Sequence, residues 1–255
     1  MISPLGSRYG IQGALGRSVK RASTSAWSPT DISGCLCWLD FSDADTMFTD
    51  AGTTKVSTDG DLVYRINDKS GNGKNANQST ESRRWAYYAN SKNSLSVISR
   101  STNAAGYILT GLTSTSGSYT FFFIVNRATI GNWLFDTQTG RFVLSTYNNG
   151  NYSWNDPGGW HDIASTTTGW QSLTYHFTSG GNGVIYKNGS SLGSAAYTVR
   201  NIGSAVGLFS DYSVSGSSNA FVGDAGEFIL YNTALSDTDR GTVETYLNNK
   251  WAIYS

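Results

Sequence analysis

Tyr119-Thr-Phe-Phe-Phe-Ile-Val125 is the stretch that decides the fold class. A half-buried strand alternates apolar and polar residues, and this run does not. Aromatic and β-branched side chains point to both faces, the signature of a strand covered on both sides at the centre of a sandwich. Short apolar runs separated by turn signals continue on either side, at 35–41, 62–67, 95–99, 106–109, 119–127, 132–136, 141–147, 171–177, 183–187, 205–209 and 226–231. Asn149-Gly150 and Asn188-Gly189 each fall between two runs, and Asn-Gly is the strongest short hairpin signal because both turn residues need positive φ. Only the end of the chain carries a helical period. Ser236 with Asp239 three residues on forms a capping-box-like start, and Val243, Leu247 and Trp251 recur every four residues. The expectation is an all-β, antiparallel two-sheet sandwich over residues 31–255, with no internal repeat and one short C-terminal helix packed on it.

Residues 1–30 read differently. Gly6, Gly10, Gly13 and Gly16 interrupt a segment with few large apolar groups, which does not fold alone. Its basic residues Arg8, Arg17, Lys20 and Arg21 precede the first acid, Asp31, so the arm is positive and the rest of a chain of zero net charge is negative. Four charges without interleaved aromatics do not make a specific nucleic-acid site. No apolar stretch approaches the length of a membrane span, and the opening MISPLGSRYGIQGALGRSVKR lacks the apolar segment of a secretion signal. The chain is therefore expected to be made in the cytoplasm, neither exported by that route nor embedded in a membrane. Cys35 and Cys37 lie two apart on one strand face, where a mutual disulfide is strained. With His161 and His176 remote in sequence, two reduced core thiols are expected and no metal site or cofactor.

Three stretches together resemble the laminin G-like jelly-roll domains of bacterial surface proteins and phage virions, a concanavalin A-like fold. They are Leu36-Cys-Trp-Leu-Asp-Phe-Ser-Asp-Ala-Asp45, then Ile66-Asn-Asp-Lys-Ser-Gly-Asn-Gly73 with Asn75-Ala-Asn-Gln78, and finally Asp224-Ala-Gly-Glu227 running through Phe228-Ile-Leu-Tyr231 into Val243-Glu-Thr-Tyr-Leu-Asn-Asn-Lys-Trp251. Ile66 stands where that family usually has Trp. The opening MISPLGSRYG is similar to the start of small tailed-phage virion proteins, in which such an arm precedes the domain. This second resemblance implies a virion structural protein, a capsid decoration or minor head protein. Its arm, through Arg8, Tyr9, Arg17, Lys20 and Arg21, would dock on other virion proteins, and the chain would form a homo-oligomer on the particle. The alternative is a tail or fibre adhesin for host-surface glycans.

Fold does not settle chemistry. The glucanases of this fold carry a Glu-x-Asp-x-Glu strand whose period of two presents the acids together, and no such strand occurs here. The acids fall instead at Asp40, Asp43 and Asp45, at Asp59 and Asp61, at Asp224 and Glu227, and at Asp237 and Asp239. A non-enzymatic protein is expected. Asp40, Asp43 and Asp45 could surround Ca²⁺, but short acids in loops ordinarily satisfy backbone groups, and that reading is preferred. The stretch Tyr147 to Asp162, with Tyr147, Tyr152, Trp154, Trp160 and His161 among Asn, Gly and Asp, has the composition of a carbohydrate site in a hairpin and loop. Two plainer roles compete, closing one end of the sandwich or facing a neighbouring subunit.

Overall fold

A computed structural model describes residues 27–102, 106–128, 133–137, 141–212 and 219–255, and the backbone alone of residues 147 and 148. Its strands are, in chain order, β1 (Cys35–Asp40), β2 (Met47–Phe48), β3 (Arg65–Ile66), β4 (Ala76–Asn77), β5 (Ala86–Lys92) and β6 (Leu95–Arg100). Then follow β7 (Tyr107–Thr110), β8 (Tyr119–Arg127), β9 (Trp133–Thr137), β10 (Val143–Asn148), β11 (Asn151–Asp156) and β12 (Gly159–Ser165). The series ends with β13 (Gly169–Phe177), β14 (Asn182–Lys187), β15 (Ser190–Ala196), β16 (Ala205–Leu208) and β17 (Gly223–Tyr231), and then helix α1 (Asp237–Trp251). No helix among the described residues is long and apolar enough to cross a membrane.

The strands form two antiparallel sheets. One runs β15-β14-β13-β8-β17-β6-β5, with β1 also paired to β17, and the other runs β12-β11-β10-β9-β16-β7-β4-β3-β2. The first carries β8 at its middle, as the unalternating run requires. Phe121, Phe123 and Val125 enter the core between the sheets, while Phe122 and Ile124 pack on the opposite face against Val243, Leu247 and Trp251 of α1. Edge-on rings tie the layers together, Phe121 with Phe135 at 4.9 Å and Phe142 with Phe177 at 5.0 Å between centroids. Helix α1 starts where the sequence marks it, with the Asp239 N–H donating to Ser236 Oγ at 3.1 Å. Gly226 gives Trp251 its seat on β17, since a Cβ there would lie 2.7 Å from the indole ring.

Among the described residues strand β1 has one strand neighbour, β17, and the Asp-Lys-Ser-Gly-Asn-Gly turn covers its other edge. The Trp38 N–H donates to Asp68 Oδ1 (2.9 Å), the Lys69 N–H to Trp38 O (2.8 Å), and Asn72 Nδ2 to Cys35 O (2.9 Å). Asp68 also accepts the N–H groups of Ser70 and Lys74. The turn thus caps an open ladder that would otherwise pair with another chain. Cys35 and Cys37 are free thiols, and burial pushes the first up to about 12 and the second well above the usual thiol range.

Six strands depart from the sequence reading, β2, β4, β5, β11, β12 and β15, and the run at 62–67 shortens to the two residues of β3. Strands β12, β15 and β5 close ends of their sheets, where solvent on one face and one edge removes the need for apolar residues, while β2, the buried pair Met47 and Phe48, is too short to show a period. Both Asn-Gly turns are hairpins as expected, with φ of 52° and 85° at Asn149 and Gly150 and 53° and 76° at Asn188 and Gly189. The packed body reaches back at least to Trp27, whose ring lies 5.2 Å from that of Tyr246, and Pro29 O accepts the Tyr231 hydroxyl. Arm residues Arg8, Tyr9, Arg17, Lys20 and Arg21 lie outside the described residues.

Candidate functional site

Lysines fill the acidic cluster that follows β1. Asp40 accepts from Lys250 Nζ at 2.7 Å and Lys69 Nζ at 3.0 Å, Asp43 shares Lys69 at 2.7 Å, and the exposed Asp45 pairs with Lys55. Burial opposes the charge of Asp40, but Lys250 and Lys69 outweigh it and hold the carboxyl below the usual range. Opposite it on β17, Glu227 accepts from Trp38 Nε1 (2.7 Å), Lys250 Nζ (2.8 Å), Trp251 Nε1 (2.8 Å) and the Tyr246 hydroxyl (2.9 Å). Four donors occupy the four lone-pair sites of one carboxylate, leaving none for a substrate proton. Burial and the nearby Asp40 raise the Glu227 pKa, an effect Lys250 and Trp251 only partly offset. The Asp40–Lys250–Glu227 group is a clamp joining α1 to β1 and β17. Asp59, Asp61 and Asp224 likewise serve local hydrogen bonds, to the N–H of Ala89, the N–H groups of Ser57 and Thr58, and Asn126 Nδ2.

The aromatic hairpin separates into two faces. Tyr152 and Trp154 point into the core and are fully buried, so neither can stack on a sugar. The Tyr152 hydroxyl donates to Gln171 Oε1 at 2.6 Å, and Trp154 Nε1 donates to Asp156 Oδ2 at 3.1 Å. His161 stacks on Trp154 at 5.0 Å and sits 3.2 Å from Asp156 Oδ1, bracing the hairpin. This corrects the grouping of Tyr152 and Trp154 with a surface site, because the period of two sends both to the core face of β11, whereas His161 on β12 keeps part of its ring in solvent. The backbone of Tyr147 belongs to β10, and its side chain lies outside the described residues. Of the four whose side chains are described, Trp160 is the most exposed, at 39%.

Around Trp160 the nine-stranded sheet brings together residues that sequence reading leaves apart. Trp160 pairs in register with Asn155, Asn155 with Val143, and Val143 with Asp136, so the four lie in one row across β12, β11, β10 and β9, on the face turned away from the core. Trp133, one pleat along, places its ring 6.5 Å from that of Trp160, and the Arg141 guanidinium lies over Trp133 at 4.3 Å. Arg141 Nε stands 3.9 Å from Asp136 Oδ1, beyond hydrogen-bond reach. Asp136 Oδ1 and Ser153 Oγ are buried without hydrogen-bond partners among the described residues. Burial pushes the Asp136 carboxyl up to about 7, against the pull of the Tyr212 N–H and Arg141. The alternation of β11 could have revealed Asn155 as outward-facing, but Trp133, Asp136 and Arg141 reach the site only through strand register.

No family model and no curated protein matches the chain. Solved structures share its fold. Domain 4 of AbnA, a GH43 extracellular arabinanase from Geobacillus stearothermophilus, solved in complex with arabinotriose, aligns with a TM-score of 0.60 at 17% identity over 82% of this chain and 98% of that one. A GH54 α-L-arabinofuranosidase aligns at 0.59 and 16% identity over 87% of this chain and 63% of that one. The binding domain of botulinum neurotoxin serotype D aligns at 0.53 and 13% identity, and the 84% of this chain that aligns spans about half of it. At these identities the likeness shows the fold alone, an all-β jelly-roll sandwich of two antiparallel sheets, to which this chain adds a short C-terminal helix.

Proposed function

We propose that this chain is a non-enzymatic virion protein of a tailed bacteriophage, a capsid decoration or minor head protein, whose sandwich is a lectin-like domain that binds glycans at Trp160. The observation carrying the binding role is the solvent-facing Trp160 ring in one row with Asn155 and Asp136, flanked by Trp133 and Arg141. A flat ring stacks on the C–H face of a sugar while the half-buried Asn155 amide beside it bonds a hydroxyl, and strands hold such groups more rigidly than loops do. The arabinanase domain with bound arabinotriose and the neurotoxin binding domain support this by analogy of fold. Saturation of Glu227 by four donors and pairing of Asp40 with two lysines support the absence of acid–base chemistry there. The virion role draws its support from the basic, glycine-bearing segment 1–30 and the opening MISPLGSRYG, with other virion proteins as partners.

A glycan array probed with the whole chain and with Trp160→Ala tests the binding role. Binding that the substitution abolishes, with an unchanged melting temperature, is the expected result; an array without hits, or hits indifferent to Trp160, overturns it. Copy number per particle decides between a head component and the alternative, a tail or fibre adhesin of host-surface glycans.

A further inference from the structure

Arg141 is a cation of the Trp160 face, held over Trp133, and its surroundings define a ligand charge. Its side chain is about half exposed, while the carboxylate beside it, Asp136, is fully buried. The guanidinium lies over the Trp133 ring, which orients it without using its N–H donors. The 3.9 Å to Asp136 Oδ1 leaves the pair without a hydrogen bond, so the donor fork remains available towards solvent. The Trp160 ring lies 6.5 Å from the same Trp133 ring.

We infer that the Trp160 face selects glycans carrying a carboxylate, a uronic or sialic acid, and that Arg141 reads that group while Trp160 stacks on a sugar ring. The inference rests on the glycan-binding reading of this face. A planar carboxylate matches the arginine fork with two parallel, charge-assisted hydrogen bonds. A neutral sugar docked on Trp160 would instead strip water from Arg141 and return no counter-charge, which discriminates against it. Ser153 Oγ and Asp136 Oδ1, both buried and unpaired among the described residues, have bonding capacity left for a buried water beneath the face, not for the sugar itself. The same surroundings exclude a polyanion. Asp136 faces Arg141, Asp211 raises the Asp136 pKa by its own charge, and Asp162 lies opposite Ser153, so a densely phosphorylated or sulfated chain meets repulsion that one carboxylate between neutral sugars avoids.

Calorimetric titration of the whole chain with two matched probe pairs tests this: galacturonic acid trimer against its carboxyl-reduced counterpart, and sialyllactose against lactose. In at least one pair the acidic member should bind about tenfold tighter or more. Arg141→Gln should bring that preference to within about twofold, Arg141→Lys should fall between, and Trp160→Ala should abolish binding of both members of the pair. Equal affinity within both pairs, or a preference that survives Arg141→Gln, overturns the inference and leaves glycan binding standing. Absence of binding to all four probes removes the inference together with the reading beneath it. Melting temperatures within a few degrees of the parent show that each variant is folded.

Discussion

Glu227 takes four hydrogen bonds without contact with solvent, and its replacement shows what such saturation is worth. In Glu227→Gln only one side-chain atom accepts, so at least one indole or hydroxyl donor and part of the Lys250 charge are left unmatched. The expected loss is about 3–5 kcal/mol in urea unfolding. Asp136 makes a different residue-level prediction, because its folded-state pKa of about 7 lies above the unfolded value of about 3.9. Between these values the folded state holds a proton that the unfolded state has released. The site therefore favours folding most below about pH 4, and that contribution falls as pH rises towards 7. Asp136→Asn removes the titration, so its stability relative to the parent should rise by on the order of 2–4 kcal/mol between about pH 4 and pH 7.5. A constant difference would show that Asp136 titrates normally. Trp154 marks the limit of reading at this scale: its neighbours Ser153 and Asn155 gave the stretch a sugar-site composition, yet the ring itself is core.

Among the elements, the turn over β1 carries the clearest consequence. Asp68 accepts the N–H groups of Trp38, Ser70 and Lys74. Asp68→Ala frees all three and uncovers the strand edge, with an expected cost of about 2–4 kcal/mol and increased self-association in light scattering. A variant equally stable and monomeric would mean that other groups seal the edge. The sequence announced this turn, both Asn-Gly hairpins and the helix start, since each depends on residue types that few alternatives replace. Strands β5, β12 and β15 were not legible, because at a sheet end the period-two signal fades into ordinary polar sequence.

For the whole molecule the decisive division lies between arm and sandwich. Trp27 and Pro29 are already part of the packed body, through Tyr246 and Tyr231. Deletion of residues 1–25 should therefore leave the melting temperature unchanged and abolish incorporation into particles reconstituted from virion proteins. Incorporation of the truncated chain would show that the arm is not the anchor.

Local chemistry in the sequence determined the sandwich class, the central strand β8, the hairpin turns, the capped helix and the reduced cysteines. These follow from period, turn geometry and spacing, which a linear chain displays. Tertiary structure alone decided that Glu227 is a clamp, that Tyr152 and Trp154 are core, and that Trp160 meets Trp133, which Arg141 covers, in a sheet row that ends at Asp136. Those outcomes depend on strand order and register, which bring side chains from four strands into one row and leave no trace in the spacing of any one of them.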